Sequence, residues 1–135
     1  MLTQLSRPFF HHRQRQIARY ADEAEQIQRQ VLARLIKQAA NTVFGRAHDF
    51  TGIQSYEDFA ARVPIGDYET HKDFIDQMRH GAADILWPGR CRWFAKSSGT
   101  TNDRSKFIPV TGQGLQRLHY KGGTDAVALY LQNRR

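Results

Sequence analysis

The sequence predicts an α/β chain, with a mainly helical segment over residues 1–85 followed by strand, loop, strand and helix over residues 86–135. Three observations carry that expectation. Apolar residues recur every three or four positions from Ile17 to Ala39, the period of one helical face. Two helix-start patterns follow, "SYED" and "GDYET". After Pro88-Gly89 the texture changes, and two runs rich in aromatic and β-branched residues flank a polar cluster, as strands around a loop do.

Each element has its own local reason. The first helix places Ile17, Tyr20, Ala24, Ile27, Val31, Leu35 and Ala39 on one side, with Gln, Arg and Glu opposite and Gly45 as its stop. "RQRQIAR" near its start reads as the solvated side of that helix rather than as a nucleic-acid arm. In "SYEDFAARVP", Ser55 is the N-cap and Asp58 its partner three residues on. Pro64 ends this helix, because the residue before a proline is driven out of helical angles. In "GDYETHKDFIDQMRHG", Asp67 is the cap, Tyr68, His71, Phe74, Ile75 and Met78 form one face, and Gly81 closes the helix. "RCRWFAKS" and "SKFIPVT" are the two strands, and a helical pattern resumes at Leu115, interrupted at Gly122-Gly123. A two-stranded pair is marginal by itself, and the last apolar run, "AVALYLQNRR", stops without a capping glycine or a returning strand. The expectation is therefore the front of a larger α/β domain.

Composition narrows the class. A chain of 135 residues is one domain by length. It has no run approaching eighteen apolar residues, and its N-terminus lacks the apolar core and cleavage site of a secretory signal. A single cysteine, Cys91, excludes an intrachain disulfide and a cysteine-based metal cluster. A cytoplasmic protein is expected. His71 and His80 lie nine residues apart without a metal-ligand spacing, so no metal site is expected. Cys91 stands between Arg90 and Arg92, but no histidine is placed beside it as a base. Trp87 and Trp93 read as core or hinge aromatics, and His119 as a surface or packing residue.

The net charge of +7 is uneven, at +4 over residues 1–54 (8 Lys/Arg against 4 acids), −3 over 55–90 (4 against 7) and +6 over 91–135 (8 against 2). The basic last third centres on "KSSGTTNDRSK". Phosphate is held by converging backbone N–H groups, hydroxyl donors and positive charge, and glycine lets the backbone come close. Ser97, Ser98, Thr100 and Thr101 supply hydroxyls, Gly99 the permissive backbone, and Lys96, Arg104 and Lys106 the charge. The patterns of P-loop enzymes and of dinucleotide-binding folds are both absent. Composition alone leaves a phosphate loop and a plain polar hairpin loop both open.

The surrounding residues add a resemblance. "SSGTT" followed by a lysine resembles the phosphate-binding loop of the adenylate-forming superfamily. The longer stretch "LWPGRCRWFAKSSGTTNDRSKFIPVT" is similar to the auxin-responsive Gretchen Hagen family of acyl-acid amido synthetases. "FGRAHDF", "YEDFAARVPIGDYE" and "FIDQMRHG" match that family in order and spacing, so that the likeness runs from Phe44 to Leu131. It implies that residues 1–135 are the N-terminal portion of one larger adenylate-forming domain. It also implies an enzyme that uses ATP, with magnesium, to convert a carboxylic acid to an acyl-adenylate, and then joins the acyl group to an amino acid as an amide. By the same likeness Ser97, Ser98, Gly99, Thr100 and Thr101 hold ATP phosphates and Lys106 takes the position of the motif lysine.

Two departures qualify the transfer. Asn102 stands where the wider superfamily carries glycine, and Lys106 comes one residue later than in that pattern, which leaves Lys96 and Arg104 as alternative cations. The family's members are also several times longer. Their adenine- and ribose-binding motifs, acyl-acid pocket and mobile C-terminal domain lie outside this chain, so that these residues alone are expected to be inactive, with no catalytic residue assigned. Two other classes remain at this point. One is a small basic nucleic-acid-binding protein, with Trp93, Phe94 and Phe107 as a stacking surface beside Lys96, Arg104 and Lys106. The other is a ligand-free interaction module with an open sheet edge.

Overall fold

A computed structural model describes residues 2–97 and 105–133. Helices dominate them, with a single two-stranded antiparallel sheet. Helix α1 spans Leu2–Asp22 and α2 spans Ala24–Ala39, so the helical run begins well before Ile17. Only Glu23 departs from it, and the ladder continues across the bend, with Glu23 N–H donating to Arg19 O and Ile27 N–H to Glu23 O.

The end of α2 differs from the sequence expectation. The helix stops at Ala39, and the buried Thr42 is the reason. Its hydroxyl donates to Ala39 O (2.7 Å) and accepts from Gly45 N (2.9 Å), closing α2 and capping a new short helix, α3, over Val43–Ala47. Two further N–H groups at the start of α3, which a helix leaves without internal partners, donate to Asp84 O (Val43, 2.7 Å) and Ile85 O (Phe44, 3.0 Å). Gly45 is thus no stop signal but a buried residue inside α3, where a Cβ would collide with the Ala39 carbonyl. A backbone approach of this kind requires glycine.

A 3-10 turn, Phe50–Gly52, leads to α4, Tyr56–Arg62. The expected capping box is present, with Asp58 N–H donating to Ser55 Oγ and Ser55 N–H to the Asp58 carboxylate. Helix α5, Tyr68–Arg79, begins in the same way at Asp67 and Thr70. Gly81 closes it two residues past Arg79, with a φ of +91° that is open to glycine and strained for other residues. The turn after it is pinned by Gly89 N–H donating to Asp84 Oδ1 (2.7 Å) and by Arg90 Nε donating to Gly81 O (2.7 Å). Strands β1, Trp93–Lys96, and β2, Phe107–Val110, pair in the register Trp93↔Val110 to Lys96↔Phe107. A last helical run comprises α6, Gly112–Gly114, a π-helical segment over Leu115–Tyr120, and α7, Lys121–Asn133. The expected interruption at Gly122-Gly123 is not there. The helix passes through both glycines, and the irregular turn lies just before them.

The chain forms two compact units, Arg29–Gly112 and the pair Met1–Gln28 with Gln113–Arg135. In the first, Ile36, Ala39 and Phe50 make one buried cluster, and Met78, Ile85 and Cys91 another. Phe44 joins the two, edge-on to both Phe50 (5.9 Å) and Phe74 (5.6 Å), an arrangement that aromatic quadrupoles favour. In the second, α1 packs on α7. Arg13 holds Asp125 through two contacts, of 2.5 and 2.8 Å, and Gln14 Nε2 donates to Ala128 O.

Candidate functional site

The hairpin β1–β2 is asymmetric in a way its register dictates. Residues directly opposite one another share a face, and the faces alternate along each strand. Trp93, Ala95, Ile108 and Val110 therefore point one way, and Phe94, Lys96, Phe107 and Pro109 the other. The second face is the one turned to the core: Phe94 packs on the cluster around Met78, and the Arg79 guanidinium lies 3.8 Å over the Phe107 ring. The first face is open, with Trp93 54% and Ile108 52% exposed. Trp87 packs on the core as expected, whereas Trp93 does not. The same alternation separates Trp93 from Phe94 and Phe107, so the three aromatics do not form one stacking platform.

At the loop end the hairpin closes on Ser97 and Lys106. Ser97 N–H donates to Lys106 O (3.0 Å), and Lys106 N–H donates to Ser97 Oγ (3.2 Å). A hydroxyl that accepts one hydrogen bond still carries a proton to donate. Both contacts keep Ser97 and Lys106 together at this end of the hairpin. Of the phosphate-loop residues singled out from the sequence, Ser97 and Lys106 are thus brought face to face. Ser98, Gly99, Thr100 and Thr101 lie outside the described residues, as does Arg104. Lys96 is exposed at the end of β1.

Two residues on α5, neither marked as a site residue by sequence pattern, hold this end of the hairpin. Tyr68 accepts the N–H of Phe107 on its hydroxyl (3.1 Å), and its ring lies 5.5 Å from Lys106 Nζ. Arg79 covers Phe107 and is itself oriented by Asp76 (2.9 Å). The Tyr68 contact spans 39 positions. The sequence shows Tyr68 only as one residue of a helical face, and no local spacing links it to the loop.

Other features have structural roles. His71 and His80 each donate from Nδ1 to a backbone carbonyl one turn earlier, at Asp67 and Asp76. Cys91 is buried, its thiol within reach of Trp93 O and Val110 O. Among the described residues no group of three or more His, Cys, Asp or Glu is placed to hold a metal ion. No helix among them is long and apolar enough to cross a membrane. A cleft of about 540 Å³ lies between α2 and the segment leading into α4, floored by Leu32, Ile36, Phe50 and Ile53, with Arg29 and Lys37 among its lining, and it shares no residue with the hairpin.

The family model described as the GH3 family N-terminal domain matches residues 13–134. An indole-3-acetic acid-amido synthetase of Arabidopsis thaliana, GH3.17, is 32% identical over 96 residues, which is 70% of this chain and 16% of that protein. A second from the same plant, GH3.5, is 30% identical over 102 residues, 75% of this chain and 17% of the relative. A probable indole-3-acetic acid-amido synthetase of Oryza sativa subsp. japonica, GH3.7, is 29% identical over 110 residues. The chain thus spans about one sixth of the length of the curated relatives it matches. By the match that covers all but its first twelve residues and its last, the chain belongs to the GH3 family, within its N-terminal domain.

Proposed function

We propose that this chain carries the nucleotide-phosphate loop of an acyl-acid amido synthetase, and that the synthesis itself is ATP-dependent. The observation that carries the reading is the Ser97–Lys106 clasp, which joins the two ends of "SGTTNDRS", residues 98–105, within a match to a family whose curated relatives are amido synthetases. In the reaction, a carboxylate oxygen attacks the α-phosphorus of ATP and pyrophosphate leaves. An amino-acid nitrogen then attacks the acyl carbon, the amine loses a proton, and AMP departs with the bonding electrons. Ser97 Oγ–H, the hydroxyls and backbone N–H groups of residues 98–101 and the Lys106 ammonium would meet the charge on the phosphate oxygens. Donors already oriented stabilise such charge at little reorganisation cost. Magnesium would arrive bound to the nucleotide's own phosphates. Residues 1–135 alone would bind nucleotide without turnover.

Titration of the purified chain with MgATP and with single-stranded DNA, each at two salt concentrations, tests this. Saturable MgATP binding that Lys106→Met weakens by about tenfold or more supports the loop assignment. Steeply salt-dependent DNA binding with no MgATP signal would overturn it. An ATP–pyrophosphate exchange assay with carboxylic acids tests the second part, and exchange by these residues alone would show that they suffice for activation.

A further inference from the structure

We infer that Tyr68 is a positioning residue for the loop, its hydroxyl fixing the start of β2 and its ring steering the Lys106 ammonium. The inference rests on the phosphate-loop reading for its purpose, but its geometry stands separately. Lys106 is held at several points. Its N–H donates to Ser97 Oγ and its carbonyl accepts from Ser97 N–H. The next N–H, that of Phe107, donates to Tyr68 Oη, and Nζ lies 5.5 Å from the Tyr68 ring centroid. A single side chain therefore anchors both the backbone just after Lys106 and the tip of its side chain.

Tyr68 can serve in this way because it is itself fixed. It is the first residue of α5, directly after Asp67, whose capping box with Thr70 sets the start of the helix. His71 adds a bond back to Asp67 O (2.8 Å). The far end of the same helix holds the same strand through Arg79 over Phe107. An ammonium over an aromatic face is attracted by the ring quadrupole, weakly where water is near and more strongly where it is excluded. That strength suits a residue that orients a cation without competing with a phosphate for it. The half-buried state of both Tyr68 and Lys106 fits this intermediate case.

Two substitutions separate the hydroxyl from the ring. Tyr68→Phe keeps the ring and should leave MgATP affinity within about twofold, while Phe107 amide exchange accelerates. Tyr68→Leu removes both and should weaken MgATP binding about two- to fivefold. That loss should disappear in the Lys106→Met background, where no ammonium remains to be steered. A merely structural role would instead weaken binding equally in both backgrounds. An independent readout needs no nucleotide. In the unaltered chain the Lys106 ε-methylene protons should resonate upfield through the ring current of Tyr68, and the shift should persist in Tyr68→Phe and vanish in Tyr68→Leu. Unshifted protons in the unaltered chain, or unchanged affinity in Tyr68→Leu, would overturn the inference. An upfield shift without any MgATP binding would remove the nucleotide reading and leave the placement of Lys106 by Tyr68 standing.

Discussion

The two compact units are built on different physics. Between Arg29 and Gly112, Ile36, Ala39, Phe50, Ile75, Met78, Ile85 and Cys91 are buried, and Thr42 and Phe44 tie the helices to the segment at Asp84 and Ile85. In the helical unit formed by residues 1–28 and 113–135, Ala128 is the buried residue among those described. There Leu118, Tyr120, Val127 and Leu129 are exposed, and the α1–α7 pairing is fastened by polar groups at Arg13, Gln14 and Asp125. Apolar burial is non-directional and scales with area, whereas an ion pair depends on geometry, pH and salt. The first unit should therefore answer to volume, and the second to charge.

Three tests sharpen that contrast, in order of size. Met78, 2% exposed, sits at the centre of its cluster, so Met78→Ala should cost about 3 kcal/mol. The control is Leu129→Ala, 42% exposed, which should change stability by less than about 0.5 kcal/mol. Chemical denaturation midpoints read both, and equal losses would refute the difference in construction.

Next comes charge. The hydrogen bond from Arg13 holds the Asp125 carboxyl below its ordinary range. A carboxyl depressed in the folded state stabilises above its unfolded value near 4, and the contribution is lost as pH falls through the folded value. Amide exchange in α7 should thus accelerate as pH falls below about 4, after correction for the intrinsic pH dependence of exchange. Asp125→Asn should reproduce the acid state at neutral pH, loosening the pairing by about 1–2 kcal/mol. Unaltered α7 protection in that variant would show that packing, not charge, holds the unit.

The smallest effect is a gain. Gly122 has nothing within 4 Å of where a Cβ would sit, and it lies inside α7. Gly122→Ala should raise helix stability by about 0.5–1 kcal/mol, seen as slower exchange in α7. A loss would mean that the backbone freedom there is used.

Where the sequence was legible, the reasons are local. Ser55 with Asp58 and Asp67 with Thr70 are neighbours within one helical turn, so their capping boxes follow from spacing alone. The face of Tyr68, Phe74, Ile75 and Met78 and the close of α5 at Gly81 follow from the helical period and from one positive φ. The two strands were legible from their β-branched and aromatic content.

The end of α2 was misplaced because it depended on distant partners. The helix expected to run to Gly45 stops at Ala39 because Thr42 turns inward and Asp84 and Ile85 take up the N–H groups that follow. Gly122-Gly123 resembles a break, yet the helix continues, since propensity is a weak prior within a chain that is packed elsewhere. Sequence by itself determined the caps of α4 and α5, the two strands, the family pattern and the residue types gathered at 96–106. Tertiary structure alone decided which face of the hairpin is covered, that Ser97 and Lys106 close upon each other, and that Tyr68 reaches both Lys106 and Phe107. A cap or a period is an interaction between neighbours along the chain. The Tyr68 contact joins groups 39 positions apart, and only packing brings them within 3.1 Å.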